Sequence, residues 1–340
     1  MSRYYSSISA VLLLLTVSFN SIAEEVNVYS ARKENLIKPL LDKFSAETGI
    51  KTNLITAGAD KLLTRMANEG RNTPADLLIT TDAGRLDRAK RADVLQKIES
   101  PVIDKLVPAH LRDVDGQWVG LSQRARVIFY AKDRVNADEL STYEDLADPK
   151  WKKRICIRGS SNIYNQSMVA SMIAEKGETE TLQWAKALVA NLARKPKGGD
   201  RDQIKAAAAG QCDIAVANTY YFGTMLDNKK DAKQVEAAKK MAVFWPNQSD
   251  RGAHVNVSGV GVSKYSKNRE NAIRLIEYML SAESQSWYAS VNYEYPVVAD
   301  VPASELVAAW GEFKSDVLNL SRLGELNAQA VKIMDKAGWQ

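Results

Sequence analysis

"EEVNVYSARKENLIKPLLDKFSAETGIKTNLITAG", residues 24–58, changes its hydrophobic period twice. "VNVYSA" is a short apolar run of the kind that forms a buried strand. "NLIKPLLDKFSAETG" then carries Leu36, Ile37, Leu40, Leu41 and Phe44 at helical spacing, and Gly49 stands where that helix should end. "IKTNLIT" is a second strand. The helix "ADKLLTRMANEG", stopped at Gly70, and the strand "ADLLITTD" continue the pattern. Strands alternating with helices predict a parallel, doubly wound α/β sheet. Such sheets bind ligands at the carboxyl ends of their strands. The loops "YSARKE" and "TTDAG" are therefore expected to face one crevice.

Further on, "GQWVGLSQRARVIFYAKDRV" is β-rich, and its final run, Val127 to Ala131, is placed to carry the chain into another lobe. A second βα series follows: "KRICIRGSSNIYNQSMVASMIAEKG", the helix "TLQWAKALVANLA", "DQIKAAAAGQCDIAVANTYYFGTML" and "MAVFWPNQ". "HVNVSGVGVSK" is strand-like again and is placed to bring the chain back. The last forty residues read as mostly helical. The expected architecture is two α/β lobes joined by two extended crossings, with a cleft between them. Residues 24–126 with 259–300 make the N-lobe, and 127–258 with 301–340 the C-lobe. A single large sheet is the alternative.

The chain has 340 residues, enough for two domains of ordinary size. Hydrophobic residues at 45% and charged residues at 26% give a globular balance, not a disordered one. The formal charge of +5, one unit less once Arg3 leaves, favours anionic partners weakly and does not argue for nucleic acid. "MSRYYSSISAVLLLLTVSFNSIAEE" has a basic residue, an apolar run and small residues before an acidic pair, the architecture of a secretory signal peptide cleaved after Ala23. The apolar run Ala10 to Val17 is too short for a comfortable membrane span, and no later segment reads as one. The mature protein is expected to be exported, soluble and monomeric. In an oxidising compartment its two cysteines, Cys156 and Cys212, most simply form one disulfide. Two buried thiols are the alternative.

Tyr164 follows the strand of Cys156, and Tyr220 and Tyr221 follow the strand of Cys212. Each cysteine precedes its tyrosine by eight residues. If the strands are neighbours, the disulfide staples their starts and the phenols meet at their carboxyl ends. Phenols have an ordinary pKa of about 10 and are neutral alone. A highly charged hard cation such as Fe³⁺ stabilises phenolate oxygen. Three phenolates would neutralise it and leave positions open for a small anion, held by arginine and helix N-termini. Other metal sets are missing: there are only two histidines, His110 and His254, no paired-cysteine motif and no EF-hand loop. Ordinary packing, or stacking on an organic ligand, remains the alternative reading of the tyrosines. No G-x-S-x-G, H-E-x-x-H or supported Ser–His–Asp pattern argues for an exported enzyme.

The signal peptide, "VNVYSARKENLIKPLLDKFSAETGI", "PADLLITTDAGRL", "GLSQRARVIFYAKDRV", "IRGSSNIYNQS", "ANTYYFG" and "HVNVSGVGVSK…NYEYPV" occur in this order. Together, over about residues 26–298, they resemble the periplasmic ferric-iron-binding proteins of ABC importers. The resemblance implies a two-lobed, hinge-closing solute-binding protein, type II-like in fold, that passes Fe³⁺ to an inner-membrane ABC permease. It places the C-lobe iron ligands on Tyr164, Tyr220 and Tyr221. The N-lobe departs from the pattern: many relatives have "YSSRHY", whose His or second Tyr can bind iron, where this chain has "YSARKE" with Lys33 and Glu34. Glu34 can offer a hard oxygen, or be a solvated charge. In relatives without an N-lobe ligand, carbonate or a similar anion completes the shell. Arg32 and Arg124 match the positions that cradle it, with Arg126 a further candidate and Ser160 and Ser161 as possible hydroxyl donors. Tyr29 reads as packing, and Gly259 and Gly261 as points of close backbone approach near a hinge.

Overall fold

A computed structural model describes residues 24–340 of the chain. The signal peptide expected over residues 1–23 lies outside them. The opening stretch folds as its periods require, with one break. Strand β1 (Glu25–Ser30) leads into a 3-10 turn, Glu34–Leu36, before α1 (Lys38–Thr48) begins. Pro39 lacks an N–H and sits in the first turn of α1, where none is needed. Gly49 ends the helix in the left-handed region, φ 75°, with its N–H on the Ser45 carbonyl. Ile37, Leu40, Leu41 and Phe44 are buried against the sheet, each contributing about 1.5–3 kcal/mol of transfer free energy.

β2 (Lys51–Thr56), α2 (Ala59–Glu69), β3 (Leu77–Thr81) and α3 (Ala83–Arg91) complete the first unit. β1 pairs in parallel with both β2 and β3. A short β4 (Leu95–Gln96) and α4 (Pro101–Leu106) precede β5 (Trp118–Ala131), the strand that ties the molecule together. Its first part, Trp118 to Ala125, pairs antiparallel with β9 (Val255–Ser263). Its second part, from Arg126 on, pairs with β7 (Ile214–Asn218) and β8 (Met241–Phe244). β6 (Ile155–Cys156) lies parallel to β7. The strands follow one hydrogen-bonded path, β2-β1-β3-β9-β5-β7-β6, because β5 serves both lobes. Its pairing changes from β9 to β7 between Ala125 and Arg126, where Arg126 N–H donates to the His254 carbonyl just before β9 begins.

The C-lobe carries α5 (Ile163–Ala190), α6 (Asp200–Ala208), α7 (Thr219–Leu226) and α8 (Ala232–Lys239). α5 comprises the two helices expected around "EKGETETLQW", one directly after the other, with the chain kinked at Gly177, whose φ 78° and ψ 170° are not helical. α9 (Arg269–Met279) and α10 (Ala282–Asn292) follow β9. The disulfide Cys156–Cys212 is formed, with its Cα atoms 5.9 Å apart. The last forty residues are less helical than expected. α11 (Glu305–Ala308), α12 (Ser321–Glu325) and α13 (Asn327–Lys336) are separated by irregular chain. That chain is held by packing: Phe313 stacks on Trp245 at 4.0 Å, and Ser315 bridges Ala253 beside the second crossing. α13 packs on α5, and α12 on both α5 and the N-lobe helix α3. No helix among the described residues is long and apolar enough to cross a membrane.

Candidate metal and anion site

Two helices begin side by side at the carboxyl ends of β6 and β7. In α5 the N-cap is Asn162, and Tyr164 lies in the first turn. In α7 the N-cap is Asn218, followed at once by Thr219, Tyr220 and Tyr221. Parallel neighbouring strands make the two helix N-termini neighbours, and both favour negative charge. The phenols meet there. Tyr220 hydroxyl donates to Tyr164 oxygen at 3.2 Å, and the Tyr220 and Tyr221 rings lie 4.2 Å apart.

A buried polar floor fixes the two helix starts relative to each other. Arg126 Nη1 donates to Asp200 and to Asn218 Oδ1, each at 2.9 Å, and its Nη2 to Asn165 at 2.6 Å. Arg158 donates to the other Asp200 oxygen at 2.8 Å. Asp200 is thus an enclosed carboxylate between two guanidiniums, which is how a buried charge is tolerated. Arg126 belongs to this floor rather than to the anion position.

The three phenols are not equivalent. Burial raises the Tyr164 pKa, but the nearby Arg124 charge and the bond from Tyr220 outweigh it and bring it below its ordinary value. Tyr220 is pushed well above 10 by burial and by the charge of Tyr164. Tyr221 is pushed up to about 12, first by burial and then by the same neighbour. The cluster therefore opens to negative charge at Tyr164 and resists it at the pair.

Opposite stand two buried arginines. Arg124, on β5, places its guanidinium carbon 5.7 Å from the Tyr220 ring centre. Its Nη2 reaches Glu294 at 3.2 Å and Ser258, while Nε and Nη1 are buried without a partner. Arg32, after β1, donates to Asn292 and Ser122, each at 3.2 Å, to Glu294 at 2.5 Å, and to Ser258. Burial raises the Glu294 pKa, but the two arginines outweigh it and bring it below its ordinary value. The lobes also touch beside the phenols: Ser167 of α5 donates to Asp82 at the start of α3 at 2.7 Å.

The structure thus brings Tyr164, Tyr220, Tyr221, Arg124 and, through Glu294, Arg32 into one region. It does not link the remaining candidates to it. Glu34 and Ser161 are exposed, and among the described residues neither side chain makes a hydrogen bond or ion pair. Ser160 offers only its carbonyl, which accepts from Gln166. Tyr29 is buried packing, as expected, with its hydroxyl on Glu69. Gly259 permits close approach, but within the N-lobe sheet: a Cβ there would lie 2.7 Å from the Leu86 side chain and the Val119 carbonyl. Glu294, Asp200 and Asn218 escaped the sequence reading. Glu294 stands in "NYEYPV" and Asn218 in "ANTYYFG", both already conspicuous; Asp200 carried no signal.

Two α/β lobes on shared strands, with phenols and buried arginines gathered at two helix N-termini, define a two-lobed solute-binding protein. The chain belongs to the family of bacterial extracellular solute-binding proteins, whose profile matches residues 72–312, in the group that holds the iron uptake and ferric-binding proteins. It is 51% identical over 317 residues to iron uptake protein A1 of Synechocystis sp., covering 93% of this chain and 88% of that one. It is 27% identical to the Fe(3+)-binding periplasmic protein of Serratia marcescens, covering 97% and 95%. Among solved structures it is similar to Trichodesmium FutA in complex with iron and citrate, with a TM-score of 0.91 and 48% identity over 93% of this chain and all of that one. Apo FutA2 from Synechocystis gives a TM-score of 0.89 and 44% identity over 94% and 100%. The family is one of binding proteins, not of enzymes.

Proposed function

We propose that this chain captures ferric iron in the periplasm, together with bicarbonate or a similar hard-oxygen anion, and delivers it to an inner-membrane ABC permease. The observation that carries the reading is the meeting of Tyr164, Tyr220 and Tyr221 at two helix N-termini, opposite an arginine with unpartnered nitrogens. Among the described residues no cluster of His, Cys, Asp or Glu offers a metal site, so phenolate oxygen is the donor this chain has to give. Fe³⁺ supplies the charge that ionises Tyr220 and Tyr221 against their burial, and each phenolate formed releases a proton. Three phenolates cancel the metal's charge. The anion then sits on Arg124, with Arg32 behind it; that the FutA relative is solved in complex with iron and citrate supports iron as the cargo. No weight rests on Glu34.

In this reading the chain works as a monomer after cleavage at Ala23. Its N-lobe (24–126 with 259–300) and C-lobe (127–258 with 301–340) close on the ligand by differential affinity for the closed state. Release follows protonation of the phenolates or reduction of the metal, since Fe²⁺ holds them less well. The test is retention. Iron-free protein dialysed against a ferric chelate should keep one iron per chain in bicarbonate buffer and markedly less when bicarbonate is removed. Protein that emerges iron-free from both would refute the reading.

A further inference from the structure

The proposed function accounts for the arginine pair but not for the carboxylate between them. Glu294 lies in a three-residue segment held at both ends. Tyr293 caps α10 in the left-handed region, φ 55°, packs on Gly223 of α7, and donates its hydroxyl to Asp227 at 2.6 Å. Tyr295 exchanges two backbone hydrogen bonds with Gln123 on β5, each of 2.7 Å. Between them Glu294 is buried and accepts from Arg32, Arg124 and Ser122. A buried ion pair is weak as a stabilising device, so its consequence for charge is the informative one. Two guanidiniums and one carboxylate leave one net positive charge facing the phenols.

Glu294 takes up Nη2 of each arginine, while Nε of both and Nη1 of Arg124 have no partner. It therefore opposes an incoming anion by charge, not by occupying its place. Resting on the reading of Arg32 and Arg124 as the anion cradle, we infer that Glu294 determines the charge of the anion accepted. The cradle takes a monoanion such as bicarbonate and rejects dianions such as sulfate and hydrogen phosphate. A monoanion neutralises the cradle. A dianion leaves an uncompensated negative charge in a desolvated place, which is costly.

The test is calorimetric titration of the iron-free protein with sodium bicarbonate and with sodium sulfate. The wild type should bind bicarbonate more tightly. Glu294→Gln keeps the shape and removes the charge. At an effective dielectric constant of about 20 and a separation of about 6 Å it should gain on the order of a hundredfold for the monoanion and ten-thousandfold for the dianion, because the dianion carries twice the charge. Glu294→Asp keeps the charge and should keep the wild-type order. A wild type that prefers sulfate, or binds neither anion, would overturn the inference. So would a Gln variant with an unchanged ratio. Should the Gln variant not fold, the wild-type order still decides. The visible colour of ferric loading is a separate readout: anion selectivity without iron uptake would sink the ferric reading alone, and iron uptake with the wrong anion order would sink this inference alone.

Discussion

His254 shows how strongly a single buried side chain feels the crossing between lobes. It sits just before β9, and its carbonyl accepts from Arg126. Burial, with the charges of Arg251 and Arg126, lowers its pKa to about 3. In the unfolded chain the imidazole titrates near 6.5. Between those values the unfolded state binds a proton that the native state refuses. Stability is therefore full above about pH 6.5 and falls as pH drops toward 3, on the order of a few kcal/mol over the window. Urea melts from neutral pH to mildly acidic pH should show this decline in the wild type, and His254→Asn should flatten it. Parallel pH profiles for the two proteins would contradict the assignment. Residues also mark the limit of sequence reading. Tyr164 and Tyr220 stand out in the sequence because each lies eight residues after a cysteine, with Tyr221 next in the chain. Glu294 stands in a conspicuous motif, but its pairing does not show there, because its partner Arg32 is 262 positions away and only the fold joins them. Glu34 lies in the matching place of the motif, and the structure leaves its side chain exposed on a 3-10 turn.

At the level of elements, the pairing of β6 with β7 decides the geometry of the site. β6 has two residues in register with β7, a short ladder to hold two helix starts together. The disulfide and the Arg126–Asp200 floor supply the rest. The bridge closes a separation of 56 residues, and loop-closure entropy sets its contribution on the order of 4 kcal/mol. Replacing both cysteines by serine should lower the urea midpoint accordingly without changing the fold's circular dichroism. An unchanged midpoint would show that the ladder and floor suffice alone. The alternation of periods in residues 24–58 makes the first βαβ unit readable, since each element there buries one clean face. The irregular chain between α11 and α12 is less readable: its order comes from Trp245, Ala253 and Arg251, partners in another part of the sequence.

For the whole molecule, β5 and β9 make two lobes out of one strand path. The phenols come from the C-lobe, and Arg32 and Arg124 from N-lobe pairing partners. In the proposed function, closing the lobes assembles metal donors and anion cradle around one cargo. The central claim is that tyrosine oxygen holds ferric iron. It is tested most directly by following visible absorbance while iron-free protein is titrated with ferric citrate in bicarbonate buffer. The account predicts an orange-to-red tyrosinate-to-iron band that saturates at one iron per chain, weakens in Tyr164→Phe, and vanishes in the Tyr220→Phe, Tyr221→Phe double variant. A colourless wild type, or a double variant that keeps the full band, would contradict it.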